Sequence, residues 1–383
     1  MARLGDLFLH IRNGANIKQG LDNTGYPITR IETISNRTVD RNKMGYAGIT
    51  DLGKYSDFVM QDGDILMSHI NSETHLGKTA LYEKEDDEII IHGMNLLSLR
   101  PNKDLIISKY AFYYLSSQSF LRQIPNITKK SVNQASFTVS ALKELVFPLT
   151  SIEEQKKITV ALDKVNGSIS IRKQQLSKLD ELVKSRFIEL FGDPILNPKG
   201  FAESTVNEYC KMTQGTQIPM SEQISEYQQG YYRYLYIRDL KYDDSNWIYV
   251  QDKYDDKKLT EKDLVVVNTG NTAGEIYYGK DGILSNNLFK VSFDTNILNT
   301  TYMFVYFSSS EFQSMLWSEM KEGTQPHLGH KIFGSKKLII PPIDLQNQFA
   351  TFVEQVDKSK LAIQKSLEKL ETPKKALMQK YFG

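Results

Sequence analysis

Two stretches of the chain carry apolar residues at alternating intervals of four and three, the spacing that lines one face of a coiled-coil helix. Where one stripe is interrupted by Arg or Lys, the other keeps an apolar residue. This complementarity predicts two long helices that pack on each other. The predicted seam consists of Ile158, Leu162, Val165, Leu176, Leu179, Val183, Phe349, Val353, Val356, Leu367, Leu370 and Leu377.

The two stretches are copies of each other at a constant offset of 191 residues, so that Gln155 matches Gln346 and Phe191 matches Phe382. The segments before them also echo one another, and in each pair the apolar framework is shared while the polar residues differ. The pairs are 62–78 with 261–277, 94–99 with 286–291, and 132–137 with 323–328. A retained scaffold with divergent loops favours two sites of different specificity, because the scaffold positions the loops and the loops make the contacts.

The sequence therefore predicts an α+β chain with a pseudo-two-fold internal repeat. Two globular domains of mixed helices and strands, 1–149 and 193–340, alternate with two helical spacers, 150–192 and 341–383. If the spacers pack as an antiparallel coiled coil, they form a rod of about 58 Å. Such a rod suits two readers of inverted half-sites at a fixed spacing, since one turn of duplex is about 34–36 Å long.

Local signals mark the ends and the weak points of these helices. Ser151 with Glu154 fits a capping box, and Asp344 is a candidate N-cap. Gly167 costs roughly 1 kcal/mol inside a helix relative to alanine. Pro373 is expected to kink or interrupt the second helix near its end.

Composition narrows the class of protein. The chain has 383 residues, 40% of them apolar, which predicts folded domains rather than disorder. Its apolar runs are too short for a membrane span, and the N-terminus lacks a signal-peptide pattern. The single cysteine, Cys210, excludes an internal disulfide. We therefore expect a cytoplasmic protein.

Sequence motifs for catalysis are missing. The only Pro-Pro pair does not follow Asn or Asp as an adenine methyltransferase would require, and no phosphate-binding glycine loop occurs. His327 and His330 lack the glutamate and the spacing of a zinc-protease helix. The sequence thus predicts a non-catalytic protein without a metal site.

Candidate DNA contacts are polar loop residues of the types that read base edges or bind phosphates: Arg or Lys for guanine, Asn or Gln for adenine, and Ser or Thr for either. Lys129 and Lys130 are the strongest phosphate candidates. The first domain offers Arg37, Arg41, Lys43, Ser68, His69, Asn71, Lys129, Lys130 and Gln134, and the second offers Arg238, Asn268, Thr269, Asn271, Thr324, Gln325 and His327. The tyrosine-rich segment 231–240 is interpreted as a half-buried strand rather than a base-stacking surface, because its tyrosines alternate.

The two helical segments carry a family resemblance. The central one, "SIEEQKKITVALDKVNGSISIRKQQLSKLDELVKSRFIELFGDP", and the C-terminal one, "PPIDLQNQFATFVEQVDKSKLAIQKSLEKLE", resemble the conserved regions of specificity subunits of type I restriction-modification systems. The resemblance implies that the globular domains are target-recognition domains for double-stranded DNA. It also implies two modification (methyltransferase) subunits as partners and, in a larger complex, restriction (translocase and nuclease) subunits. This chain would bind no cofactor, and those partners would use S-adenosylmethionine, ATP and Mg²⁺.

A different class of function stays open at this point. A net charge of only +1 suits a bivalent scaffold that organises proteins without touching DNA. The two hypotheses differ in one measurable property, because affinity that depends on phosphate contacts falls steeply with salt.

Overall fold

The structure, a computed structural model, describes residues 1–20, 24–131, 134–242, 246–320 and 326–383, without the side chains of Ser35 and Asn36. It has the predicted α+β composition, with two long helices and many short strands. The α-helices are Ser108–Leu115, Gln118–Leu121, Ile124–Ile127, Val139–Lys143, Ile152–Phe191, Val206–Tyr209, Ile237–Lys241, Thr300–Ser308, Ser310–Glu319, His330–Gly334 and Ile343–Phe382. Short 3-10 helices are Leu4–Leu7, Ile31–Arg37, Arg41–Lys43, Gly53–Phe58, Glu73–His75, Met220–Glu222 and Asp255–Lys257. Among these described residues, no helix combines the length and the apolar content needed to cross a bilayer.

The first globular domain is built on an antiparallel four-stranded sheet. In spatial order its strands are Phe8–Asn13, Leu96–Pro101, Ile65–Ser68 and Thr79–Leu81. A three-stranded sheet of Ile70–Asn71, Ala135–Ser136 and Lys129–Lys130 continues from the end of the third strand. The pair Ala2–Arg3 with Val146–Phe147 closes the domain next to the first long helix.

The second globular domain repeats this topology. Its antiparallel sheet has the order Cys210–Gln214, Leu288–Phe293, Leu264–Val267 and Ile276–Tyr278, and Ala202–Thr205 pairs with Lys337–Ile340. An additional sheet has the order Ile248–Gln251, Tyr231–Leu235, Gly282–Leu284 and Lys258–Leu259. The internal repeat predicted from the sequence is thus a repeat of sheet topology.

The chain divides into two compact units, and each contains one globular domain with parts of both long helices. The first unit is 1–172 with 365–383, and the second is 173–364. The sequence placed boundaries at the helix ends instead. The units are cut within the helices because each globular domain packs on the start of the helix that follows it and on the end of the other one.

Both long helices bury the predicted seam. All twelve seam residues are buried or half-buried, as expected for apolar side chains at coiled-coil spacing. In the second unit the helices run antiparallel: the rings of Phe187 and Phe349 are 5.6 Å apart, and Asp180 forms a 2.6 Å ion pair with Lys360. Moving backwards along one helix therefore corresponds to moving forwards along the other.

The helix ends confirm one predicted cap and correct another. The Ser151 hydroxyl accepts a hydrogen bond from the Glu154 N–H at 3.3 Å, which is half of a capping box. The second long helix already begins at Ile343, so Asp344 lies in its first turn and is not the N-cap; its carboxylate is favourable there because it faces the positive end of the helix dipole. The helix also continues through Pro373, which is exposed, so the predicted interruption does not occur.

A buried glutamine fixes each long helix to its globular domain. Gln155 is fully buried: its Oε1 accepts from the N–H of Ile107 at 2.9 Å, and its Nε2 donates to the carbonyls of Leu105 and Thr150. The matching Gln346 makes the equivalent bonds.

In the second unit the Oε1 of Gln346 accepts from the N–H of Asn299 at 2.8 Å, and its Nε2 donates to the carbonyls of Ile297 and Pro341. Each amide thus satisfies three backbone groups at the junction between helix and domain. The start of each helix is therefore held at a defined position on its domain.

Aromatic residues at the helix ends complete both cores. In the first unit the ring of Phe382 lies 5.4 Å from Tyr110 and 5.8 Å from Tyr114. In the second unit Phe191, the residue that matches Phe382, lies 4.8 Å from Tyr302. The hydrophobic core of each domain is thus completed by the last turn of the long helix that begins in the other half of the sequence.

Candidate nucleic-acid interface

In the first domain, polar candidates gather where the central strand leaves the main sheet. Ala135 is the register partner of both Asn71 and Lys130, so these residues flank one short strand. Lys129, Lys130 and Gln134 are exposed there. The structure therefore brings four of the predicted contacts to one exposed sheet.

The charges at this sheet are available to a ligand. The Lys130 Nζ lies 2.9 Å from Glu73, but both side chains are more than half exposed. An ion pair in that setting contributes about 0–1 kcal/mol, so a phosphate can replace the carboxylate at little cost. The Asn71 Oδ1 accepts from the N–H of Ser72 at 2.8 Å, which orients the amide.

Two neighbouring candidates are corrected by the structure. Ser68 and His69 are only 2% and 5% exposed. Ser68 ends the central strand, and His69 packs edge-on against Phe137 at 6.4 Å, where burial lowers the pKa of its imidazole. The prediction required exposed side chains, and both of these point into the fold because the chain crosses there from one sheet to the next.

The predicted arginines of the first domain lie on 3-10 segments instead of on this sheet. Arg41 binds the carboxylate of Glu88 with Nε and Nη2 at 2.8 and 2.6 Å, and its hydrogen bonds hold the pKa of Glu88 at about 2. Arg37 donates to the carbonyl of Ser116, and the Lys43 Nζ lies 3.7 Å from Asp40. The bidentate ion pair gives Arg41 a structural role that the sequence did not indicate.

In the second domain, Thr269 and His327 form an antiparallel bridge. The Thr269 hydroxyl lies 3.4 Å from the Nδ1 of His327, and His327 and Asn271 are exposed. Asn268 is only 3% exposed, because its Oδ1 accepts from Thr269 and its Nδ2 donates to a main-chain carbonyl; it is therefore corrected from a contact to a buried support. Thr324 and Gln325 lie outside the described residues.

These two groups occupy the same topological position. Ile70 pairs with Ser136 in the first domain as Thr269 pairs with His327 in the second. In the first domain the N–H of Phe137 donates to the carbonyl of His69. In the second the N–H of Leu328 donates to the carbonyl of Asn268. Different polar side chains thus occupy equivalent positions of the same backbone framework in the two domains.

Arg238 lies apart from this bridge, on the short helix Ile237–Lys241. It is exposed and lines a groove of about 420 Å³, and its Nη2 donates to the carbonyl of Asn246 at 3.1 Å. Beside it, Tyr234 is buried and Tyr232 and Tyr236 pack on the same cluster. The interpretation of this segment as a half-buried strand is therefore confirmed for Tyr231–Leu235, whereas its second half forms the helix Ile237–Lys241.

Among the residues that the structure describes, no group of three or more His, Cys, Asp or Glu side chains is arranged to hold a metal ion. The exposed candidates are amides, hydroxyls and cations, which are the side-chain types that read grooves and contact phosphates in protein–DNA complexes.

The family is decided by a match over most of the chain. Residues 1–181 and 198–372 each match the model of the type I restriction modification DNA specificity domain. The chain belongs to this family. The match occurs twice, in agreement with the repeated sheet topology.

Named relatives come from Methanocaldococcus jannaschii. The chain is 41% identical over 208 residues to the putative type I restriction enzyme MjaX specificity subunit, covering 54% of this chain and 48% of the relative. It is 30% identical over 188 residues to the MjaVIII specificity subunit, covering 48% of this chain and 42% of that protein. The chain thus spans about half the length of these two curated relatives.

Solved structures share the fold over the whole chain. The crystal structure of a type I restriction-modification S subunit from M. genitalium superposes with a TM-score of 0.57 at 17% identity, covering 100% of this chain and 95% of that one. A structure from a study of assembly and conformational transition of the type I restriction-modification system gives 0.54 at 16% identity, with 100% and 96% covered. At this identity the likeness establishes the specificity-subunit fold.

Sequence reasoning missed one pair of exposed residues, Asn286 and Asn287. They form the turn between the strands Gly282–Leu284 and Leu288–Phe293. The signal was present in the repeat, because 94–99 matches 286–291, but only the strand positions of that match were used.

Proposed function

We propose that this chain is a sequence-specific DNA-binding subunit that reads a bipartite target, with one half-site for each globular domain and a fixed spacer between them. The observation that supports this most directly is the equivalent position of two unlike polar groups, one centred on Lys130 and one on the Thr269–His327 bridge. A frame that is kept while its side chains change is expected of two readers with different base preferences. The target should therefore be asymmetric.

The chemistry of the first group favours DNA over a protein partner. Lys129 and Lys130 are exposed and weakly paired, so they can neutralise phosphates, and Gln134 beside them carries the amide that suits adenine. Phosphate contacts position a protein on the duplex, while amides read bases. The same few residues can thus both position the protein on the duplex and read a base.

The same proposal includes partners that carry out the chemistry. Two modification subunits would use S-adenosylmethionine, and restriction subunits would use ATP and Mg²⁺. The first half of the first long helix offers a surface for such partners, since Val160 and Ile171 are 69% and 56% exposed. Their spacing of eleven residues places them along one side of the helix.

Footprinting of the assembled complex on DNA tests the proposal. We expect two protected patches separated by an unprotected gap, and an affinity that falls steeply with salt. One contiguous patch would contradict the bipartite target, whereas the absence of a salt-sensitive affinity for duplex would support the scaffold hypothesis.

Lysine variants sharpen the test. Replacing Lys129 and Lys130 by alanine should reduce the slope of log affinity against log salt by about 2, because two phosphate contacts are lost. Lys84→Ala, which removes an exposed lysine from a loop outside this sheet, should leave the slope unchanged.

A further inference from the structure

The turn that links Gly282–Leu284 to Leu288–Phe293 has a fixed backbone. The N–H of Leu288 donates to the carbonyl of Ser285 at 3.1 Å, which closes the turn. The carbonyl of Asn287 accepts from the N–H of Asn268 at 3.1 Å, and the carbonyl of Asn286 accepts from the Nε2 of Gln214 at 2.6 Å. Both turn residues are therefore held through their main chain.

Their side chains are free in contrast. Asn286 and Asn287 are exposed, and neither amide hydrogen-bonds to any other described residue. The backbone of the turn does not require asparagine, because neither residue adopts the positive φ that asparagine tolerates. The described non-glycine residues with positive φ are Arg37, Asp86 and Asn197. Two unpaired amides on a rigid turn thus lack an explanation within the fold.

The turn borders both parts of the interface in this domain. Asn268 directly precedes Thr269 of the Thr269–His327 bridge, and its N–H donates to the carbonyl of Asn287 in the turn. On its other side, Asn287 lines the 420 Å³ groove together with Arg238. Ser285 lines the same groove and is 1% exposed, and its hydroxyl has no hydrogen-bond partner among the described residues.

The first domain has a turn in the same place. Leu96 is the register partner of Ser68, as Leu288 is of Val267, so Met94 and Asn95 stand where the second domain has Asn286 and Asn287. Both are exposed, Met94 to 45%. The position therefore keeps one asparagine and changes the other residue.

We propose that this turn is a specificity-determining element in each domain. In the second domain the free amides of Asn286 and Asn287 read adenine, because a carboxamide offers one donor and one acceptor that match N7 and the N6 amino group. In the first domain Met94 contacts the methyl group of a thymine. A turn that is already rigid loses little conformational freedom on binding, which favours selective contacts.

This inference rests on the proposed function, and one experiment separates the two. The chain is expressed with its modification subunits in cells, and methylated adenines are mapped by long-read sequencing. The variant Asn286→Ala with Asn287→Ala should relax discrimination at one or two A·T positions of one half-site by roughly 5- to 150-fold, the range for loss of a bidentate base contact. Met94→Ser should relax a position in the other half-site alone.

Controls make each outcome decisive. Asn296→Ala removes an exposed asparagine in another turn of the same domain and should leave the methylated motif unchanged. A wild-type chain without any bipartite motif would refute the proposed function itself. A wild-type motif that both turn variants preserve at every position, or a uniform loss of methylation without relaxed discrimination, would overturn only the role of the turn. If the alanine variant fails to assemble, Asn286→Gln with Asn287→Gln keeps the amides but moves them, and an unchanged base preference would equally overturn it.

Discussion

The buried amide of Gln155 provides a direct test of how the first long helix is fastened to its domain. In Gln155→Leu the side chain keeps a similar volume but loses all three of its hydrogen bonds. The N–H of Ile107 and the carbonyls of Leu105 and Thr150 then lack these partners. The matching change Gln346→Leu removes the equivalent bonds in the second unit.

The expected cost follows from those three backbone groups. A buried donor or acceptor without a partner costs about 1–3 kcal/mol, and carbonyls tolerate the loss better than N–H groups. We therefore expect Gln155→Leu to destabilise the start of the helix by about 3–5 kcal/mol. The exposed Gln174 offers a control, because Gln174→Leu should change stability by less than about 0.5 kcal/mol.

Hydrogen exchange of the full chain measures this effect at the site. Protection of the Ile107 amide should fall by about a hundredfold or more in Gln155→Leu, since each 1.4 kcal/mol corresponds to a factor of ten. Gln346→Leu should produce the same fall at Asn299 and leave Ile107 protected. If Ile107 keeps its protection in Gln155→Leu, the amide is not what fastens the helix, and the reasoning is refuted.

Three further predictions concern the cores, the helix backbone and pH. Phe382→Ala should lower the unfolding free energy of the first unit by about 3–5 kcal/mol and Phe191→Ala that of the second, as measured by urea unfolding with exchange detection; equal effects on both units would contradict the assignment. Gly167→Ala should raise the free energy of unfolding by about 0.5–1 kcal/mol, because a Cβ there meets open space, and an unchanged or lower melting temperature would count against it. The Arg41 hydrogen bonds hold the pKa of Glu88 below its usual 4.5, at about 2, so their stabilisation is complete above pH 4.5 and is lost as the pH falls towards 2. The free energy of unfolding should therefore fall as the pH is lowered from 4.5 towards 2, and Glu88→Gln should reduce this fall. The same pH dependence in the variant would refute the stabilising role of the Arg41–Glu88 pair.

The long helices could be predicted because their signal is local. Spacing alone identified the seam, since apolar residues that recur at four and three must share one face. The match of Gln155 with Gln346 was also visible, but its role was not, because the partner groups at Leu105 and Ile107 are about fifty residues away in sequence. Pro373 shows the opposite case, because the local rule allowed an interruption there and the helix nevertheless continues to Phe382.

The polar candidates were harder to sort because exposure depends on how strands leave a sheet. Alternation along a strand predicts which side chains face inwards, but Ser68 and His69 lie where the chain crosses between two sheets, so both are buried. Asn268 is buried at the equivalent crossing for the same reason. Asn286 was overlooked because a two-residue turn has no periodicity of its own, so the match of 94–99 with 286–291 was interpreted only at its strand positions.

The exchange of helix ends has a consequence for synthesis of the protein. Tyr110 and Tyr114 are translated early, yet the ring that covers them belongs to Phe382. At about 5–20 residues per second, the ribosome needs roughly 10–50 s to pass from the end of the first domain to this residue. During that interval the nascent first domain carries an uncovered aromatic surface, whereas the second domain meets both of its helical segments almost as soon as it emerges.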